Sequence, residues 1–141
     1  MEFNPNNNVV KLCAQGMEME GKGKPGEAGS LFLQAWNEAS NDFEKFTAAH
    51  YVARHQKSAA DKLKWDETAL QFALKINDDT VKATFPSLYL NIAKGYEDLN
   101  DFENAKKNFE LAHSFTSFLP DNGYGDMIKG GIINGMKRVT K

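Results

Sequence analysis

Residues 86–119 read PSLYLNIAKGYEDLNDFENAKKNFELAHSFTSFL, and this stretch decides the fold. Tyr89, Ile92, Ala93 and Tyr96 recur at helical spacing and make one apolar face. Ala105, Phe109 and Ala112 make a second one. Between them, Leu99-Asn100-Asp101 brings turn and capping residues, so two helices joined by a short turn are expected to lie antiparallel. Alanines at the facing positions let such helices approach closely. The aromatic ring one turn on fills the gap beside them.

Outward from this unit the pattern recurs. Ala28, Phe32 and Ala35 repeat the spacing of Ala105, Phe109 and Ala112, and Ala69, Ala73 and Ile76 keep it with changed side-chain sizes. The intervals between the leading alanines are unequal, which requires insertions. Seven helices are expected: from about Val9 to Glu20, Pro25 to Ala39, from Asn41 onward, Ala60 to Ile76, through Pro86 to Leu99, Asp101 to Phe118, and Tyr124 to Arg138. Gly21-Lys22-Gly23-Lys24 reads as a turn, and Pro25 suits the first turn of the next helix. The tetrapeptide Asn-Asp-Phe-Glu occurs at 41–44 and again at 100–103, and both copies read as helix starts sharing capping chemistry. No segment alternates as a strand does.

Read at a period of about 34 residues, the 86–119 unit closely resembles the tetratricopeptide repeat: large, apolar, small and aromatic on the first helix, then small, aromatic and small on the second. The first unit follows with Leu12, Gly16 and Met19, then Ala28, Phe32 and Ala35; Gln15 departs from the pattern. The middle unit holds Ala49 and Ala53, with a longer connection to Ala69. Residues 48–56, 86–91 and 96–99 also resemble a group of short bacterial tetratricopeptide proteins, some of which carry a ribosomal RNA adenine methyltransferase label. No glycine-rich strand-to-helix turn for a methyl donor stands behind that label here. The resemblance implies an all-α solenoid of antiparallel helix hairpins, about three repeats and a C-terminal capping helix. That gives a single domain over residues 9–141 after a flexible polar tail over 1–8. Each hairpin buries too little alone, so stacking supplies the common core.

Composition narrows the function. Net charge is -2, from 17 basic and 19 acidic residues, which gives no electrostatic footprint for nucleic acid. Ten Phe, four Tyr and two Trp supply a real core. The one cysteine, Cys13, sits among apolar residues and reads as an inert buried thiol. No apolar run reaches the roughly 20 residues of a membrane span, and the N-terminus lacks the features of a signal peptide, so a cytoplasmic protein is expected.

No metalloprotease, hydrolase-elbow, deaminase or phosphate-loop signature is present, so no cofactor and no metal are expected. The densest polar cluster is His50-Tyr51-x2-Arg54-His55-Gln56. His50 and Arg54 stand at i and i+4 and share a helix face. By the tetratricopeptide resemblance, that face lines a concave groove, as do Asn91 and Lys94 of the third unit. Some domains of that family grip a C-terminal carboxylate with lysine, asparagine and arginine. Here Cys13 and Met17 occupy such positions and only Asn91 matches part of the clamp. The expectation is a non-catalytic scaffold for a protein or peptide, contacting it through His50, Tyr51, Arg54, Asn91 and Lys94. The alternative is a small-molecule sensor or small enzyme built on His50, Arg54 and His55. An enclosed pocket with perturbed histidines favours the sensor or enzyme, and an open groove favours the scaffold. Gly130, Gly131 and Gly135 suit close packing of the last helix, with a homodimer contact through it as a further expectation.

Overall fold

The computed structural model describes residues 6–140. Residues 1–5 of the expected tail lie outside the described residues. The remainder of it opens the first helix, because the Asn7 side chain accepts from the Val10 N–H at 3.1 Å. Among the described residues there are eight α-helices, one 3-10 turn and no strand. Among the described residues no helix is long and apolar enough to cross a membrane. The helices group into two compact units that divide between Ile76 and Asn77.

The first unit holds α1 (Asn8–Gly21), α2 (Pro25–Glu38), α3 (Asp42–Ala53) and α4 (Ala59–Ala73). α1 pairs with α2, and α3 with α4, while α3 also packs on α1 and α2. Val9, Leu12, Cys13, Ala28, Phe32, Ala35, Ala39, Ala48 and Val52 form one core. Its tightest point is Gly16, where a Cβ would stand 2.3 Å from a Phe32 ring carbon. A bare backbone there lets the ring lie flat between the helices. Trp65 of α4 meets Trp36 of α2 edge-on at 5.1 Å and covers the outer side of this core.

The second unit holds α5 (Asp79–Lys82), α6 (Phe85–Asp98), α7 (Phe102–Ser114), a 3-10 turn (Thr116–Phe118) and α8 (Gly123–Val139). α6 and α7 form the central pair, with Ile92, Ala93, Ala105, Phe109 and Ala112 buried. α8 packs on both. Gly135 of α8 takes the place against Phe109 that Gly16 takes against Phe32, with a Cβ position only 2.1 Å from the ring.

Three expected boundaries are corrected. α4 stops at Ala73 rather than Ile76, and Asn77-Asp78-Asp79 is a start rather than only a stop. The Asp78 side chain accepts from the Thr80 N–H at 2.7 Å and caps the short α5. α7 ends at Ser114 rather than Phe118, because Ser114 and Thr116 hydroxyls donate to the Leu111 and His113 carbonyls. Phe115 then turns inward, edge-on to Phe85 and stacked on Tyr89 at 5.7 Å. The repeated tetrapeptide is used in two registers. Asn41 caps α3, whereas Asn100 adopts a positive φ of 63° that reverses the chain, and Asp101 caps α7. Asparagine tolerates that left-handed conformation better than most residues.

Candidate functional site

α3 ends at Ala53, and the chain continues through Arg54 and His55 in a turn. That turn delivers both side chains to Glu20 near the end of α1. His55 Nε2 lies 2.8 Å from Glu20 Oε2, and Arg54 donates to Glu20 Oε1 at 3.2 Å. A carboxylate offers only acceptors, so Nε2 carries the proton in this pair. Beneath them the Tyr51 ring stacks on Phe32 at 5.1 Å, and the Arg54 guanidinium lies 4.9 Å from the Tyr51 ring centre. Tyr51 is thereby sandwiched between the core and a cation. Burial raises its hydroxyl pKa, with the Arg54 charge acting against that rise.

Beside this cluster, α2 and the end of α3 enclose a depression of about 430 Å3. Pro25, Gly26, Gly29, Ser30 and Leu33 form one wall, and Val52, His55 and Gln56 the other. Leu33 and Val52 supply its apolar side chains. The Ser30 hydroxyl donates to the Gly26 carbonyl at 3.1 Å, so its proton is engaged inside the helix. The Gln56 amide donates to the Val52 carbonyl at 3.1 Å, which leaves its oxygen to accept from elsewhere. The depression is partly open to solvent and has hydrogen-bonding edges.

His50 behaves differently from its neighbours. Its Nδ1 is buried without a hydrogen-bond partner, as is the Thr47 hydroxyl on the same helix face. Burial, reinforced by the Arg54 and Lys62 charges, pushes its pKa down to about 4. His50 is therefore a neutral ring turned into the protein, and it does not line the depression. Asp66 is buried too, at 2% exposure, and Lys62 holds it at 2.7 Å. Its carboxyl is raised by burial against the pull of that ammonium group.

The five expected contact residues fall into two sets. His50, Tyr51 and Arg54 belong to the first unit, in or just after α3. Asn91 and Lys94 belong to the second, three residues apart on α6, half-buried and exposed respectively. Within the first set Arg54 is the most exposed, while the His50 Nδ1 is buried and the Tyr51 ring is sandwiched. Sequence reasoning missed Glu20, which collects Arg54 and His55 across more than thirty residues of chain. It also missed the α2 wall. The closest available signal was the pair Gly26 and Gly29 next to Ser30 on one side of a helix. Cys13 is buried, and burial raises its thiol to about 12. No protein-family model, curated protein or solved structure matches the chain.

Proposed function

We propose that this chain is a non-catalytic, tetratricopeptide-type scaffold that binds a short protein or peptide segment. The observation that carries the reading is the openness of the α2–α3 depression beside the Glu20–Arg54–His55 cluster. An enzyme or enclosed sensor site needs a water-excluding cavity with its perturbed group aimed inward. The strongly perturbed histidine, His50, instead lies away from the depression, and His55 is tied to a carboxylate. A segment laid across the depression finds apolar contact on Leu33 and Val52. It finds bare backbone at Gly26 and Gly29, and a guanidinium whose present partner, Glu20, a ligand carboxylate can replace. Tyr51 then acts as the platform that holds Arg54 in place. Asn91 and Lys94 form a second, smaller polar set on α6, suited to backbone and carboxylate groups.

Selection of displayed random peptides on the full chain tests this reading. Enriched peptides should bind with micromolar affinity, about −8 kcal/mol. Arg54→Ala and Leu33→Asp should each weaken them about tenfold or more while leaving the helical signal intact. No enrichment, or binding indifferent to both substitutions, defeats the assignment.

A further inference from the structure

α8 packs on α6 and α7 with Ile128, Ile132 and Gly135 buried, Gly131 beside Leu90, and Arg138 paired with Glu97. The other side of the helix carries Asp126, Gly130, Ile133 and Lys137, which stand at i, i+4, i+7 and i+11 on a single face. Asp126 and Lys137 are exposed, and Ile133 is 45% exposed. A Cβ at Gly130 would meet nothing. A glycine inside a helix costs about 1 kcal/mol relative to alanine, and no neighbour in the chain fills the room it leaves.

The order on this face is acid, small, large, base. Read from the other end it is base, large, small, acid. Two copies of the helix laid antiparallel therefore set Asp126 against Lys137 of the second copy, and Gly130 against Ile133 of the second copy, each twice. The face is thus complementary to itself in both charge and size, which is what a two-fold interface requires. Asp126 and Lys137 are about 16 Å apart along the helix, so the two ion pairs lie at opposite ends of the contact.

We propose that the chain self-associates as a two-fold dimer through an antiparallel α8–α8 contact. The proposal rests on α8 alone and is independent of the peptide-binding reading. α8 is about 25 Å long. One pair of such helices covers less than the roughly 1,200 Å2 of a stable interface, so the dimer is weak, with a Kd on the order of 100 μM.

Sedimentation equilibrium of the full chain, from about 10 μM to about 1 mM, spans that range. The parent should pass from monomer to dimer. Asp126→Lys and Lys137→Asp should each weaken association roughly tenfold, because each places like charges opposite one another twice. Mixing those two single variants should restore association as a heterodimer, and the double variant D126K/K137D should restore the homodimer. Lost folding cannot produce that complementation. Ile133→Ser should weaken the dimer through packing instead of charge, with helical circular dichroism unchanged. A parent that stays monomeric across the range overturns the proposal. So does a dimer indifferent to the charge reversals, or one that mixing fails to restore.

Discussion

Single atoms decide much of this structure. Gly16 exists for the Phe32 ring: a methyl group there would meet a ring carbon at 2.3 Å. Gly16→Ala should therefore destabilise by roughly 1–3 kcal/mol through overpacking. Gly29, also inside a helix, has its nearest neighbour at an ordinary 3.7 Å from a Cβ. Gly29→Ala should stabilise by about 0.5–1 kcal/mol by restricting the unfolded chain. Denaturant titration of the two variants checks both signs, and equal effects would refute the packing account. His50 gives a pH signature. Burial holds its pKa in the folded chain at about 4, against the ordinary 6.5. Above pH 6.5 neither state binds the proton and the ring costs nothing. Between pH 6.5 and 4 only the unfolded chain binds it, so stability falls as pH falls, by up to roughly 3 kcal/mol. Replacement by an uncharged side chain, His50→Gln, should flatten that part of the profile relative to the parent. Thermal melts at stepped pH read the difference, and parallel profiles would show that His50 is not the group responsible.

At the scale of elements, helix starts follow local chemistry closely. The Asn41 side chain accepts from the Glu44 N–H at 2.8 Å, and Glu44 in turn accepts from the Ser40 N–H at 3.0 Å. Asn41→Ala should cost about 1 kcal/mol, measurable by chemical denaturation, because an N–H of the first turn loses its acceptor. An unchanged midpoint would mean that water replaces the cap at no cost. Apolar spacing and caps made the long helices legible from sequence. Alanine and phenylalanine spacing also made the α1–α2 and α6–α7 pairs legible. Helix ends were less so. α7 stops where serine and threonine hydroxyls and the inward turn of Phe115 outweigh a continuing pattern. The two copies of Asn-Asp-Phe-Glu differ by one residue of register because only the second follows directly on a helix that must reverse. That difference belongs to the connection, and the four residues alone do not encode it.

For the molecule as a whole, the near-neutral charge and the partly open depression accord with the proposed binding role. The candidate site was only partly legible. Residues 50–56 stood out by their density of polar side chains, and Arg54 and His55 meet one partner, Glu20, there. The partner is Glu20, and the opposing wall is α2; both come from tertiary packing of α1 and α2 against α3, which local spacing does not reveal. The burial of the His50 Nδ1 was illegible for the same reason. Periodicity places a histidine on a helix face, and only the packed neighbours decide whether that face meets water. The most direct test is heteronuclear NMR of the full chain titrated with a selected peptide. Amide shifts concentrated at Gly26, Gly29, Ser30, Leu33 and Gln56, saturating together, are the predicted result. Saturating shifts confined to residues remote from α2 and the end of α3 would contradict the account.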